Sequence, residues 1–263
     1  MSVCPVRHGD ARAVLSFVCT ALFSWNTDGM TSTPHGARAR ARIEITAAIK
    51  EEARRRLAEQ GAAELSLRAV ARALGMASSA IYRYFPSRDD LLTALIIDAY
   101  DSLGEAAEAA LKASAGAAAG ERWTAVCEAI RGWALAHPHE YALIYGSPVP
   151  GYAAPATTVP AASRVGFALI EVVRDAHRAG ELDVPAVPAG LEAEAARMAA
   201  DFVPDLPPAV APACVAVWAQ LLGLIGFEVF GQFTRIVEER DAFFRHTIGG
   251  LARTVGLRHA GAS

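Results

Sequence analysis

The chain has 263 residues, a length that suits one protein with a smaller and a larger domain. Hydrophobic residues make up 53% of it and charged residues 20%, which excludes an intrinsically disordered chain. Its four cysteines form no CxxC pair, so they predict neither a disulfide framework nor a metal site. The net charge of −3 would by itself argue against nucleic acid as a partner.

The charges are unevenly distributed along the chain. Eleven Arg or Lys and five Glu lie between Arg38 and Arg88, so this segment carries +6 and the remainder carries −9. A basic segment in an otherwise acidic protein is the pattern of a DNA-binding head joined to a body that is not attracted to phosphate.

Residues 1–37 are predicted to be a loose N-terminal extension. Arg7 and Arg12, followed by the apolar stretch 13–25, imitate a secretory signal, but no A-x-A cleavage pattern follows. A cytoplasmic DNA-binding protein has no use for export. We therefore hypothesise that translation begins at Met30, which sequencing of the native N-terminus would test.

The first helix is predicted over residues 43–60. Its apolar residues repeat every four positions and form one face, and Gly61 ends it; these residues are Ile45, Ile49, Ala53 and Leu57. A polar lead and an alternating basic arm of Arg38, Arg40 and Arg42 precede this helix. The arm either contacts DNA or remains in solvent, and the sequence does not decide between the two.

Residues 65–91, LSLRAVARALGMASSAIYRYFPSRDDL, predict two short helices around a tight turn and the start of a third. Ser66 can cap the first helix, whose apolar residues Val70, Ala71 and Leu74 point inward. Gly75 can adopt the left-handed conformation that ends this helix and turns the chain.

The second of these helices is predicted to begin with Ser78 or Ser79 as its cap. Ile81 and Phe85 lie four residues apart and are predicted to face the core. Ser79, Tyr82 and Arg83 then lie on the exposed face. A buried helical hairpin that binds no nucleic acid explains an exposed tyrosine and arginine poorly.

The run SLRAVARALGMASSAIYRYF at residues 66–85, followed by SRDDL at 87–91, closely resembles the DNA-binding domain of the TetR family of bacterial transcriptional regulators. The resemblance is specific over about residues 40–95 and is looser beyond Tyr100. It implies an all-α homodimer that binds double-stranded DNA. It places Arg68, Ser78, Ser79 and Tyr82 at or near base edges, and Ser66, Tyr84 and Arg88 on phosphates.

The remaining chain is predicted to form a helical body over residues 87–263, after a head over 38–86. Ser87 caps a long helix that runs toward residue 113 and links head to body. Further helices are predicted at 122–137, 161–179, 191–202, 209–233 and 236–255, with a proline-rich turn at 146–155. Residues 133–155 resemble one C-terminal subclass of TetR-like regulators.

The stretch 209–233 is the most apolar segment, which invites a transmembrane interpretation. We reject that interpretation because Pro212, Gln220 and Glu228 interrupt the stretch. Ala219 and Gly223, four residues apart, would allow two helices to approach closely. With the last helix, this segment is predicted to form a four-helix bundle across a two-fold axis, so that residues 209–255 hold a homodimer.

The body is also predicted to bind a small-molecule effector of unknown identity between its helices. Its bulky side chains are candidate walls, although each is equally compatible with plain core; they are Trp133, Tyr141, Tyr145, Phe167, Met198, Phe202 and Trp218. We expect ligand binding to shift the long linking helix, so that the two heads of a dimer no longer match successive major grooves.

Enzymatic activity has little support in the sequence. There is no G-x-S-x-G, Walker, dinucleotide-binding or H-E-x-x-H motif, and no cofactor is predicted. The run from His137 to Glu140, HPHE, can be imagined as metal ligands, but a helix end explains it better.

The sequence predicts a cytoplasmic, all-α, ligand-responsive transcriptional repressor. The alternative is a sensor or interaction module whose helix-turn-helix does not read DNA.

Overall fold

The computed structural model describes residues 34–258, and this part of the chain contains helices and no β-strand. The predicted all-α fold is confirmed. The signal-like stretch and the proposed start at Met30 lie outside the described residues. The α-helices are α1 (Pro34–Gln60), α2 (Leu67–Ala73), α3 (Arg88–Ala113), α4 (Ala119–Ala136), α5 (Pro138–Tyr145), α6 (Val159–Arg178), α7 (Glu192–Phe202), α8 (Val210–Val229) and α9 (Arg240–Thr254).

The chain divides into two compact units, one up to Glu44 and one from Ile45 onward. In the first unit α1 already begins at Pro34, well before the predicted start at residue 43. The prediction of a polar lead followed by an arm was therefore wrong from Pro34 onward. Proline suits the first turn of a helix, and the alternating Ala and Arg residues that follow are strong helix formers.

The second unit contains two hydrophobic clusters, of which the smaller packs α1, α2 and the start of α3 together. The predicted inward residues Ile49, Val70 and Ile81 are fully buried in it. We call it the head cluster; its buried members are Ile49, Ala53, Leu57, Leu65, Leu67, Val70, Ala71, Ile81, Phe85, Leu91, Leu92, Leu95 and Ile96.

The turn after α2 is built as the sequence predicts. Gly75 has a φ of 66°, and the amide of Met76 donates to the carbonyl of Ala71 over 2.9 Å, which closes the end of the helix. The start of α2 differs from the prediction. Ser66 occupies the cap position with an extended backbone, but its side chain makes no capping hydrogen bond.

The segment from Ser78 to Tyr84, which we call the recognition segment, is a turn followed by a single 3-10 turn at Ile81–Arg83. The predicted helix capped by Ser78 or Ser79 was therefore wrong in form, since Ala80 precedes the 3-10 turn and no side chain caps it. Gly75 and Pro86 bound this segment, and Pro86 disfavours helical backbone at Phe85.

Helix α3 connects the head to the body, as predicted. The hydroxyl of Ser87 accepts a 3.1 Å hydrogen bond from the amide of Asp90 and so caps the helix. The first half of α3 belongs to the head cluster, and its second half belongs to a larger body cluster, which comprises most buried hydrophobic residues between Ala99 and Leu257. A domain boundary at residue 86 stays a prediction, since α3 continues through both clusters.

Two helical stretches, Ala156–Arg178 and Val210–Val229, are long and apolar enough to span a membrane. This is weak evidence, because core helices of soluble proteins have the same length and composition. In α8, Val217, Leu221 and Ile225 pack into the body cluster. The buried carboxylate of Glu228 accepts two 2.7 Å hydrogen bonds from Arg131 of α4, a paired charge that fits a protein core.

Candidate functional site

The eight residues predicted to contact DNA lie on α2, the recognition segment and the start of α3. Six of them are exposed, namely Ser66, Arg68, Ser78, Ser79, Tyr82 and Arg83, and Tyr84 and Arg88 are partly buried. The buried side chains of Ile81 and Phe85 hold the recognition segment against α2, so that its polar side chains remain on the outside. The arrangement offers donors and one aromatic ring to the edges and phosphates of a duplex.

Arg68 is exposed on α2 and makes no hydrogen bond or ion pair that the structure records for residues 34–258. Arg72, which the sequence analysis did not select, lies one helical turn further along and is exposed in the same way. The spacing of four residues from Arg68 was the signal that could have identified it.

The other basic residues of the head contribute less free charge than their number indicates. Lys50 and Arg54 of α1 both pair with Asp98 of α3, at 2.7 and 2.6 Å. Arg55 and Arg56 pair with Glu52 on their own helix. The pKa of Glu52 is lowered chiefly by its hydrogen bond with Arg55. The positive face of the head therefore depends more on Arg68 and Arg72 of α2 than on the middle of α1.

Arg88 has a structural role that the sequence did not predict. Its guanidinium donates to the backbone carbonyls of Leu65, Ala62 and Ala63 over 3.1, 2.8 and 3.2 Å. These bonds tie the start of α3 to the 3-10 turn Ala62–Glu64 that follows α1. A phosphate contact by Arg88 stays a prediction, and the same side chain already holds the head together.

A cavity of about 730 Å³ lies in the body, between α3, α5, α6, α8 and the loop of residues 146–155. This volume is in the range of sites for drug-sized ligands. Four residues that the sequence analysis proposed as walls line it: Tyr145, Phe167, Phe202 and Trp218. The aromatic residues Tyr100, Trp123 and Tyr152 line it as well, although the sequence analysis did not select them.

The other three proposed wall residues lie outside the lining of this cavity. Trp133 is buried, donates to the hydroxyl of Ser102 over 2.9 Å and stacks on His137. Tyr141 is buried and donates to the carbonyl of Leu222 over 2.6 Å. Met198 is partly buried and packs against the body cluster. These three side chains pack the core of the body.

The polar groups of the cavity wall differ in whether they have partners. The hydroxyl of Tyr100 donates to the carbonyl of Ile144 over 3.2 Å, and that of Thr158 donates to the carbonyl of Pro155 over 2.9 Å. The hydroxyl of Tyr145 is buried and finds no hydrogen-bond partner among the described residues. Burial, and then the neighbouring Tyr100 and Tyr141, raise the pKa of Tyr145.

Part of the cavity wall also packs against the head cluster. Tyr100, Leu143, Ile144, Val149 and Tyr152 line the cavity and at the same time pack against the head cluster. These side chains therefore connect the cavity wall with the elements that carry the residues predicted to contact DNA.

An ionic contact connects the same parts of the molecule. Arg54 of α1 pairs with Glu140 of α5 at 3.2 Å, in addition to its bond with Asp98. Helix α5 also carries Tyr145 in the cavity wall. The contact therefore joins the first helix of the head to a helix of the cavity wall.

Two side chains of the HPHE run make other contacts. His137 lies between α4 and α5, with its Nδ1 2.9 Å from the carbonyl of Trp133, and Glu140 is engaged with Arg54. Within residues 34–258, no group of three or more His, Cys, Asp or Glu is placed to hold a metal ion.

Cys127 and Cys214 are free thiols, and burial raises the pKa of Cys214 to about 11.

Comparison with known proteins agrees with this architecture. Residues 49–95 match the family described as bacterial regulatory proteins, tetR family, and residues 123–251 match the tetracyclin repressor-like C-terminal domain. The chain is 42% identical over 203 residues to the HTH-type transcriptional regulators Rv1816 of Mycobacterium tuberculosis and Mb1846 of Mycobacterium bovis, covering 75% of this chain and 86% of each relative.

A solved structure also has a similar fold. The crystal structure of the regulatory protein SCO4313 superposes with a TM-score of 0.68 at 32% sequence identity, covering 83% of this chain and 98% of that chain. The family matches cover both the head and the body, and the relatives are named as transcriptional regulators. The chain is therefore a DNA-binding transcriptional regulator that belongs to the TetR family.

Proposed function

We propose that this regulator binds a palindromic operator as a homodimer and represses transcription until a small molecule enters its cavity. The observation that carries the proposal is the shared wall, in which the same side chains line the cavity and pack against the head cluster. The protein acts by binding in the cytoplasm, and no enzymatic turnover or membrane is part of its function.

Membership of the TetR family supports the proposed DNA contacts, together with the exposure and chemistry of most of these side chains. Arg68 and Tyr82, with Ser78 and Ser79, reach base edges, and Ser66, Arg72, Arg83, Tyr84 and Arg88 face phosphates. A guanidinium can donate two hydrogen bonds to O6 and N7 of guanine, which makes Arg68 the strongest candidate for base recognition. Tyr82 has 42% of its surface exposed, so its ring is available to a base or sugar.

Two heads are needed to recognise a palindrome, and α8 offers a surface for a second copy of the chain. Its outer side exposes Val215, Ala219, Gly223 and Phe227, which follow one another at intervals of four residues. An exposed apolar stripe with small residues at its centre suits close packing of two identical helices across a two-fold axis. This supports a dimer through residues 209–255.

The ligand acts through differential affinity for two arrangements of the head. A molecule in the cavity contacts Ile96 and Tyr100 of α3 and Ile144 of α5. Binding that favours one position of these helices changes the distance between the two heads of the dimer. A ligand with equal affinity for both arrangements would leave the operator affinity unchanged.

The proposal is tested by titrating the protein against a labelled palindromic fragment from the promoter next to its gene and against a scrambled duplex. We expect tighter binding to the palindrome than to the scrambled duplex. The logarithm of the affinity should fall linearly with the logarithm of the salt concentration, because phosphate contacts release counterions. Equal affinity for both duplexes at every salt concentration would support the alternative, a helical sensor that does not read DNA. Unchanged operator affinity in ligand-saturated protein would refute the coupling.

A further inference from the structure

The chemistry of the cavity wall defines the class of molecule that the cavity accepts. None of the described residues that line it is Asp, Glu, Lys, Arg or His. An ionised ligand would lose its hydration there without gaining an opposite charge. The wall therefore selects against carboxylates, phosphates and ammonium groups.

The apolar part of the wall favours a molecule with rings. Tyr100, Phe167, Phe202 and Trp218 line the cavity from three helices and the end of a fourth. The rings of Tyr100 and Tyr145 meet edge to face with 5.8 Å between their centroids. Such rings present both faces and edges, to which a flat apolar ligand packs well.

Among the described residues, one buried side-chain polar atom of the wall is left for the ligand. The hydroxyls of Tyr100, Thr158 and Ser163 donate to backbone carbonyls, and that of Tyr152 lies 2.9 Å from the hydroxyl of Thr93. The buried hydroxyl of Tyr145 has no such partner among the described residues. Leaving a buried donor without a partner is costly, and structures rarely do so without a reason.

The protonation of Tyr145 decides the kind of partner it needs. Burial raises its pKa, so the phenol remains protonated and donates its hydrogen. The complementary group is a carbonyl, ether or hydroxyl oxygen on an otherwise apolar molecule.

We propose that the cavity binds an uncharged, ring-containing molecule whose oxygen accepts a hydrogen bond from Tyr145. This inference rests on the proposed ligand response, because it names the chemical class of the ligand that the response requires. Tyr145 has a favourable position for this task, since it lies on α5 beside Tyr100 of α3 and both line the wall that packs against the head cluster.

The test uses three naphthalenes that carry their substituent on the same ring carbon. Acetylnaphthalene has an accepting oxygen, isopropylnaphthalene has the same shape without it, and naphthoate is charged. Calorimetric titration of the full-length protein should show that acetylnaphthalene binds about fivefold more tightly than isopropylnaphthalene, the ratio expected for one net hydrogen bond. Naphthoate should bind at least about tenfold more weakly than acetylnaphthalene.

Tyr145→Phe should remove the preference, so that acetylnaphthalene and isopropylnaphthalene bind within about twofold of each other. Tyr100→Phe is the matched control, because it removes a phenol of the same wall whose hydrogen is already donated to Ile144. Because Tyr100 itself lines the cavity, Tyr100→Phe changes the affinity for both neutral probes, but the ratio between the two affinities should stay about fivefold. Gly166→Leu should weaken binding of both neutral probes at least about tenfold, since Gly166 lines the cavity and an added side chain meets open space.

Several results would overturn the inference. A preference for acetylnaphthalene that survives Tyr145→Phe would remove Tyr145 as the donor. Naphthoate as the tightest ligand, or no binding of either neutral probe, would refute the uncharged class. Unchanged binding to Gly166→Leu would place the ligand outside the cavity.

Operator affinity is measured on the same preparations without any probe, because this separates the inference from the proposed function. Loss of operator recognition with the expected probe preferences would refute the proposed function alone. Normal operator recognition with the wrong preferences would refute the inference alone. Circular dichroism of each variant establishes that it is folded.

Discussion

At the residue scale, Arg68 is the side chain for which we propose a separate role in base recognition. It is exposed on α2 and free of recorded partners within the described residues. We expect Arg68→Ala to lose about 1–3 kcal/mol of binding free energy at the operator, and to lose discrimination at one base pair. Fluorescence anisotropy with operators changed at single base pairs measures both quantities.

Arg72→Ala is the matched comparison for Arg68→Ala. It removes the same charge one helical turn away, and we expect it to weaken binding to operator and scrambled duplexes alike. If Arg68→Ala also weakens both duplexes equally, base recognition belongs to another residue.

Arg88 is predicted to combine a structural role with a phosphate contact. Arg88→Ala removes the hydrogen bonds to the carbonyls of Leu65, Ala62 and Ala63, and should lower the free energy of unfolding by about 1–3 kcal/mol. A lost phosphate contact should also reduce the magnitude of the salt slope, which is the slope of log affinity against log salt concentration, by about one. Chemical denaturation and salt titration measure the two effects separately.

Arg88→Lys is the control, because it keeps the charge but cannot form the same fork to several carbonyls. It should retain most of the salt slope and lose part of the stability. A destabilised Arg88→Ala protein with an unchanged salt slope would leave Arg88 with a structural role only.

At the element scale, the packing of α3 against α6 depends on the absence of a side chain at Gly104. A Cβ at this position would lie 2.7 Å from the Cβ of Arg164, closer than two such atoms can approach. Arg164 also donates to both carboxylate oxygens of Glu108, over 2.8 and 2.7 Å, and this bond lowers the pKa of Glu108. The two helices therefore meet at a small residue beside an ion pair.

We expect Gly104→Ala to destabilise the protein by about 1–3 kcal/mol, because α3 and α6 must separate to relieve the clash. Gly132→Ala in α4 is the matched control, since an added Cβ there meets open space. It should instead stabilise the protein by up to about 1 kcal/mol through helix propensity. Thermal denaturation of both variants measures the difference. If Gly104→Ala is as stable as Gly132→Ala, α3 and α6 are not tightly packed at Gly104.

At the scale of the whole molecule, the proposed dimer depends on the outer stripe of α8. Gly223 lies in this stripe, is exposed, and has nothing within 4 Å of an added Cβ inside its own subunit. Gly223→Leu should therefore leave the subunit folded but force two partner helices apart, at a cost of about 1–3 kcal/mol or more. Sedimentation velocity should show a shift toward monomer, accompanied by weaker operator binding.

Gly132→Leu is the control for the dimer, because it adds the same side chain to an exposed helical position on α4. We expect it to remain a dimer with normal operator affinity. An intact dimer in Gly223→Leu, at concentrations where the wild type begins to dissociate, would place the interface elsewhere.

The head was largely predictable from the sequence, because its signals are local. Ser87 caps α3, Gly75 ends α2, and the spacing of Ile81 and Phe85 places both in the core. The form of the recognition segment was not predictable, since the ten residues between Gly75 and Pro86 can form either an α-helical or a 3-10 turn. Ile81 and Phe85 of this stretch pack with α2 in the head cluster, and tertiary contacts of this kind override weak local preferences.

Apart from the start of α1 and the form of the recognition segment, the sequence by itself determined most helices, their approximate ends and the residues that face a core. Helix periodicity, caps and turn glycines act over a few neighbouring residues. Only the tertiary structure decided which aromatic residues surround the cavity. Tyr141 and Tyr145 lie one turn apart on α5, yet Tyr141 donates to Leu222 in the core and Tyr145 lines the cavity. That difference arises from contacts between distant segments, which no local pattern encodes. The same holds for the bonds of Arg88 to carbonyls more than twenty residues earlier.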